Sequence, residues 1–316
     1  MSRPPTEDRD EFRPGGSRAG SGPDDAGFDA DNAEPGAADV GPRGEDPGHG
    51  ADHGEPGPAA NAGSASGFYS TRLAHYGSWR MVVGLLLLSV LLANLAGLAI
   101  SFAALGLDVQ SSELLSNPVT VLLLLFLQAV IFVSVVYYFM VRRRVTSWRE
   151  MGVADYGPGS SILRGLGYGL LFLFVSGVVG ILQSLLGIEQ TDPLPFDVDT
   201  HSLFGRASLL FGGVVLAPIS EEIFFRGYIF RAMAARKGLI LGIVYSSALF
   251  GAIHLIRDLP SDTAGLPGYF SVFLPIAVGS TLLAVAYHRS RDLWTPIVAH
   301  AINNAFAIGV LFAAGS

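Results

Sequence analysis

Long apolar runs separated by short polar stretches occupy the chain from about residue 79 onward. A helix that crosses a membrane needs about 20 mainly apolar residues. Runs of this kind lie at seven places, roughly 80–104, 119–141, 163–187, 203–236, 238–256, 269–287 and 292–313. The pattern predicts an all-α fold, a polytopic transmembrane helical bundle of about seven spans.

The fourth apolar run is longer than one ordinary span, and it contains Pro218. Proline has no N–H to donate, and its ring clashes with the carbonyl one turn earlier. We therefore expect a kink just before Ser220. If the helix is broken at Pro218, the run forms two pieces and the bundle has eight spans.

The first 78 residues have a different composition, rich in Gly, Pro, Asp and Ala. Residues 1–78 hold fourteen acidic residues and six arginines, whereas residues 79–316 hold thirteen acidic and fourteen basic residues. A segment with few large apolar side chains cannot bury enough surface to offset its ordering entropy. The composition predicts a disordered acidic tail over 1–78 and a transmembrane domain over 79–316.

Loop charges predict the orientation, because cytoplasmic loops of membrane proteins carry more Lys and Arg. Base-rich and base-poor loops alternate along the whole chain, with clusters at Arg142–Arg144, at Arg236 and Lys237, and at Arg289 and Arg291. We expect a cytoplasmic N-terminus and an external C-terminus. One lysine against nineteen arginines, together with the acidic tail, suggests a prokaryotic cell membrane.

Few ionisable residues lie inside the predicted spans, where a charge is costly and usually functional. Glu222 and Arg226 are four residues apart, so they share a helix face and can neutralise each other. Glu221 is rotated by about 100° and has Phe225 at the next turn. One carboxylate is therefore expected to be structural and the other free. A purely structural ion-pair cluster would leave Glu221 unexplained.

Two histidines lie in later spans. Glu221 is fifteen residues before Arg236, and His254 is sixteen residues after Gly238. At about 1.5 Å per residue, two antiparallel neighbours place both side chains at one depth. His300 and Asn304 share a face of the last span, and the spacing puts Asn304 nearer the level of Glu221. A structural alternative is that this pair only hydrogen-bonds two helices together.

Three motifs stand in order within the spans: E-E-x-x-x-R (Glu221, Glu222, Arg226), F-x-x-x-H (Phe250, His254) and H-x-x-x-N (His300, Asn304). Together they resemble the CPBP family of intramembrane proteases, also called the CAAX-protease or Abi family. The resemblance covers roughly residues 163–316, the expected protease-like core. The acidic tail and the first two spans lie outside it.

The resemblance implies a membrane-embedded endopeptidase in which Glu221 and His254 activate a water. It also implies that His300 and Asn304 stabilise the oxyanion, while Glu222 and Arg226 hold the site. A carboxylate in an apolar site is a stronger base than in water, which suits a general base near neutral pH. N–H donors suit a developing oxyanion. We favour this metal-free chemistry, with no cofactor.

Zinc is the alternative, because Glu plus two His is a plausible ligand set, here Glu221, His254 and His300. The chain has no cysteine, which excludes thiolate ligands and a cysteine nucleophile. Intramembrane Glu and His also occur in proton-coupled transporters, but we find no internal repeat. A non-catalytic immunity or scaffold protein is a further alternative. We expect as partners the lipid bilayer and a peptide or membrane-anchored protein substrate, and no nucleic acid.

Overall fold

The structure is a computed structural model that describes residues 68–105, 116–153, 158–188, 200–255 and 265–314. Within these ranges the chain is helical and contains no β-strand. The predicted all-α fold is confirmed. The eight helices are α1 (Thr71–Tyr76), α2 (Trp79–Leu105), α3 (Pro118–Val141), α4 (Pro158–Leu185), α5 (Leu203–Lys237), α6 (Leu239–His254), α7 (Gly265–Ser290) and α8 (Trp294–Ala314).

Six of these helices are long and apolar enough to cross a membrane, namely α2, α3, α4, α5, α7 and α8. The remaining predicted span, α6, has 16 residues in the structure. At about 1.5 Å per residue it reaches about 24 Å, less than the roughly 30 Å of a bilayer core. Residues 256–264, which follow it, lie outside the described part of the chain. The bundle agrees with the predicted polytopic architecture.

Large apolar side chains cover the outside of the bundle. Leu87, Phe102, Leu170 and Phe174 are each more than half exposed. Such a surface suits lipid, which has the same polarity as these side chains. The predicted orientation across the membrane remains a prediction, and reporter fusions at residues 70 and 316 in the same compartment would contradict it.

Helix α5 is continuous over 35 residues, so the expected alternative of two pieces broken at Pro218 does not occur. A π-helical turn over Phe211–Leu216 lies directly before the proline, and a second one follows over Ile223–Phe230. A π-helical turn widens the spacing of the carbonyls and makes room for a proline ring. The backbone adapts to Pro218 by changing its hydrogen-bond register instead of ending.

The second half of α5 is the centre of the bundle. All eight residues of Ile223–Phe230 are buried. A helix that is apolar on all sides is typical of a protein core. The burial of this segment therefore explains why the fourth apolar run is longer than an ordinary span and apolar on every side. Gly238 then turns the chain directly into α6, and its φ of 90° is a conformation that favours glycine.

The packed part of the chain begins about ten residues before the expected boundary at residue 79. Phe68 and Leu73 are buried, and α1 packs against the end of α5. The fully buried Arg231 donates from Nε to the carbonyl of Phe68 at 3.0 Å, and its guanidinium lies over the Phe68 ring. The prediction of a disordered tail is therefore wrong for residues 68–78, because these residues carry apolar side chains that the bundle buries. Residues 1–67 lie outside the described part.

Tyr69 connects this N-terminal segment to α7. Burial raises the pKa of Tyr69 to about 12, although Arg291 and Arg231 act in the opposite direction. The hydroxyl therefore keeps its proton at neutral pH and can donate it to Nδ1 of His288, which lies 2.7 Å away. Residues 68–76 are thus fixed to α5 and α7 by packing and by hydrogen bonds.

Candidate active site

The two adjacent glutamates of α5 have different surroundings. Glu221 lines a cavity and is 8% exposed, whereas Glu222 is completely buried behind it. Their side chains leave the helix about 100° apart, so neighbouring positions face different helices. The structure thus separates the two carboxylates in the way that the spacing predicts.

Glu222 belongs to a closed cluster of charges. Arg226 donates from Nη1 to Oε1 of Glu222 at 2.8 Å, and both side chains are fully buried. The other terminal nitrogen of Arg226 donates to the carbonyl of Ser280 at 3.0 Å and approaches its hydroxyl at 2.8 Å. A buried pair of this kind is stable only while its members are hydrogen-bonded, because removing one partner leaves an uncompensated charge. The pair fixes α5 against α7.

His300 connects the two glutamates. Its Nδ1 lies 2.9 Å from Oε1 of Glu222, and its Nε2 lies 3.8 Å from Oε2 of Glu221. A carboxylate only accepts, so the proton of the first contact belongs to Nδ1. Contrary to the expectation from spacing, His300 is the residue of this pair that contacts Glu221, whereas Asn304 contacts Gly213, eight residues earlier on α5. Because Nδ1 is occupied by Glu222, only Nε2 remains for an oxyanion, and the expected role of His300 as an oxyanion donor stays a prediction.

Glu221 also meets a side chain that the sequence argument overlooked. Nε2 of Gln128, on α3, lies 3.4 Å from Oε1 of Glu221. The signal was present in the sequence, because Gln128 interrupts an apolar run over 118–141. It was missed because glutamine does not ionise and because α3 lies outside the three motifs.

His254 reaches the same cavity from the end of α6. Its Nδ1 lies 2.7 Å from the carbonyl of Phe250, one turn earlier. Because a carbonyl can only accept, Nδ1 carries the proton and Nε2 is left as an acceptor. Glu221 and His254 line one cavity, in agreement with their predicted common depth.

The ring of Phe250 separates the cavity from the charge cluster. It makes edge-to-face contact with Phe225 at 4.8 Å, and the guanidinium of Arg226 lies over it at 4.9 Å. The rings of His254 and His300 lie 4.8 and 5.7 Å from it. Phe250 thus positions both histidines by packing, which gives the F-x-x-x-H motif a physical reason.

Asn304 and Asn303 complete the polar wall of the cavity. Nδ2 of Asn304 donates to the carbonyl of Gly213 on α5 at 2.8 Å, and Nδ2 of Asn303 approaches Oδ1 of Asn304 at 3.5 Å. An amide nitrogen has two N–H groups. The contact with Gly213 uses one N–H of Asn304, and neither of the two contacts above uses the other.

The cavity measures about 510 Å³, within the range of small-ligand sites. Seven of the eight described helices, α2 to α8, contribute to its walls. Two of its polar side chains, Gln128 and His300, contact Glu221, and most of the other lining residues are apolar. The polar lining residues include Asn94, Gln128, Ser176, Glu221, His254, His300, Asn303 and Asn304.

A second cavity of about 440 Å³ lies between α2 and α3. It shares Asn94 and Gln128 with the first cavity. Both helices precede the expected protease-like core at 163–316. The site therefore draws on a larger part of the chain than the three motifs indicated.

The predicted zinc ligands do not form a metal-binding group. Among the described residues, no three His, Cys, Asp or Glu side chains are arranged to hold an ion. The Nδ1 atoms of His254 and His300 are engaged by Phe250 and Glu222, which leaves one nitrogen on each ring. Glu221, His254 and His300 share the cavity without forming such a group.

Comparison with known proteins agrees with the resemblance found in the sequence. Residues 204–306 match the family model described as "Type II CAAX prenyl endopeptidase Rce1-like". These residues include Glu221, Glu222, Arg226, His254, His300 and Asn304. The resemblance is confirmed for this part of the chain, which matches the Rce1-like family model.

A curated relative supports the same class of protein. Over 164 residues the chain is 27% identical to the "Putative membrane peptidase YdiL" of Bacillus subtilis strain 168. The match covers 48% of this chain and 56% of that protein, so the chain spans about half the length of this relative. No solved structure matches the chain.

Proposed function

We propose that this chain, whose residues 204–306 match the Rce1-like family model, is an intramembrane endopeptidase with Glu221 as its general base. One observation carries the proposal: Glu221 faces a cavity shared with His254, while Glu222 is neutralised behind it by Arg226. A structural cluster would require only the second carboxylate. The first one is left available for chemistry.

In the proposed reaction, a water lies between Glu221 and Nε2 of His254. Glu221 accepts a proton from this water while its oxygen attacks the carbonyl carbon of the peptide bond. The new C–O bond shifts the carbonyl electrons onto oxygen and gives a tetrahedral oxyanion. The proton on Glu221 then passes to the leaving nitrogen as the C–N bond breaks.

The second N–H of Asn304 supports the oxyanion in this scheme, because it belongs to an amide already fixed in the cavity wall. A single donor of this kind typically contributes 10²–10³-fold to turnover, roughly. We assign His300 to positioning instead, since its Nδ1 donates to Glu222 and its Nε2 lies 3.8 Å from Glu221. Gln128 holds the other oxygen of Glu221.

The substrate class follows from the walls of the cavity. They are mostly apolar and reach the helices that face lipid, which favours a peptide or a membrane-anchored protein whose cleaved segment is apolar or lipid-modified. The description of the matching family contains the words "CAAX prenyl endopeptidase". For this chain, cleavage of matched peptides with and without a prenyl group distinguishes a lipid-modified substrate from one that is only apolar.

The test is a comparison of membrane peptides from cells that produce the wild-type protein or Glu221→Gln. The proposal predicts peptides whose new termini appear only with the wild type. A proton-coupled transporter or a non-catalytic scaffold would give the same peptides in both cells. If cleavage by purified protein stops with a chelator and returns with zinc, a metal mechanism replaces the one proposed here.

A further inference from the structure

We propose that Pro218 is a positioning residue for the cavity, and that it acts by leaving the carbonyl of Gly213 free to orient the amide of Asn304. The part of this inference that concerns turnover rests on the proposed function. The part that concerns the contact itself does not.

The hydrogen-bond register of α5 identifies the carbonyl that the proline leaves without a helical donor. In the π-helical turn before Pro218, the N–H of Ala217 donates to the carbonyl of Gly212, five residues earlier. The next donor in this register would be residue 218, and its acceptor would be Gly213. Because proline has no N–H, Gly213 receives no bond from that position.

A side chain from α8 occupies this carbonyl instead. Nδ2 of Asn304 donates to the oxygen of Gly213 at 2.8 Å. Gly213 also permits the approach of α8, since a Cβ at this position would lie 2.8 Å from Cδ1 of Ile308. Within a membrane, carbonyls released by proline are commonly satisfied by neighbouring helices in this way. Proline and asparagine thus form one unit across two helices.

The same arrangement occurs a second time in the chain. Pro275 lies inside α7 and cannot donate to the carbonyl of Ser271, four residues earlier. Nε2 of Gln183, on α4, approaches the carbonyls of Phe270 at 3.1 Å and Ser271 at 3.4 Å. An amide side chain therefore meets the proline-modified turn in both helices, which argues against a chance contact at Gly213.

The contact determines which way the amide of Asn304 points. One N–H is directed at Gly213, and Oδ1 faces Nδ2 of Asn303. The second N–H of the same nitrogen is thereby held in one orientation, on a side chain that lines the cavity containing Glu221. A backbone N–H at position 218 would compete for the carbonyl of Gly213 and release the amide.

Pro218→Ala tests this competition directly. We expect kcat for a Glu221-dependent cleavage to fall at least about tenfold, part of the roughly 10²–10³-fold that one oxyanion donor contributes. KM should change less than about twofold, and the melting temperature should stay equal or rise, because a helix-interior proline is removed. A residue with a merely structural role would lower stability and turnover together. Pro218→Val, which restores the same N–H in a side chain of similar size, serves as the second variant.

The matched control is the same substitution in an Asn304→Ala background. If Pro218 acts through Asn304, Pro218→Ala causes no further loss of kcat there. Wild-type turnover in Pro218→Ala, or an undiminished loss in the Asn304→Ala background, would overturn the inference while the proposed function stands.

Melting temperatures test whether the contact between Asn304 and Gly213 depends on Pro218, even if no cleavage is found and the proposed function fails. Asn304→Ala should then lower the melting temperature of the wild type clearly more than that of Pro218→Ala, because the latter supplies its own donor to Gly213. Equal losses would show that the two residues are independent and would end the proposal. Gln183→Leu, measured with and without Pro275→Ala, provides the parallel comparison at the second proline.

Discussion

The two sides of α5 differ in what surrounds their charges. On the packed side, Glu222 and Arg226 are fully buried, and Arg231 continues this side toward Phe68. On the cavity side, Glu221 meets Gln128 at 3.4 Å and His300 at 3.8 Å. The packed side therefore has short bonds between opposite charges, and the cavity side has longer contacts around one carboxylate.

This difference shows how one helix can separate stability from chemistry. A carboxylate with an arginine one turn away is neutralised and cannot act as a free base. Its neighbour, rotated by about 100°, is left with weaker partners and with space. Substitutions on the packed side should thus reduce the free energy of unfolding, whereas those on the cavity side should reduce turnover.

The largest loss of stability is expected from shortening the N-terminus into the packed side. A chain that begins at residue 68 should insert and melt like the full chain. A chain that begins at residue 79 loses the buried Phe68 and Leu73, at about 1.5–3 kcal/mol each in the free energy of unfolding. Thermal melts of both chains in one detergent measure this. Equal melting temperatures would show that residues 68–78 do not belong to the packed side.

Glu222→Gln should have the next largest effect, because Arg226 then remains buried without its partner. Breaking a buried ion pair typically lowers the free energy of unfolding by about 3–5 kcal/mol. Glu221→Gln is the matched control, since it has the same change in size and charge one position away. A melt in which Glu221→Gln is the less stable variant would mean that the two roles are reversed.

Gln128→Leu should have a smaller effect, and on turnover alone. Gln128 orients one oxygen of the proposed general base, so kcat should lose part of the roughly 10²–10⁴-fold that a positioned base contributes, at least about tenfold. The contact of 3.4 Å is a weak hydrogen bond, so the melting temperature should change little. Gln128→Glu should be worse, because a second carboxylate would face Glu221. If both variants cleave like the wild type, Gln128 has no part in the site.

The sequence predicted the features that depend on one helix or one hairpin. The apolar runs gave the spans, the four-residue spacing gave the Glu222–Arg226 pair, and the short turn at Gly238 placed Glu221 and His254 at one depth. Helical periodicity alone determines each of these relations. The ordered segment at residues 68–78 could also have been recognised, from Phe68 and Leu73, but the composition of the preceding residues obscured it.

Relations between distant helices could not be predicted in this way. The register of α8 against α5 decides that His300 lies between the glutamates and that Asn304 meets Gly213. That register depends on side-chain packing, including the close approach of Ile308 to Gly213. Gln128 reaches Glu221 for a similar reason, because α3 packs against the middle of α5.

Glu221→Gln tests the central claim most directly. The substitution keeps the size of the side chain and removes the base, and Glu221 has no arginine partner that would be left uncompensated. The account predicts a protein that melts within a few degrees of the wild type and cleaves peptide at least about 10²–10⁴-fold more slowly. A folded Glu221→Gln protein that cleaves at the wild-type rate would contradict it.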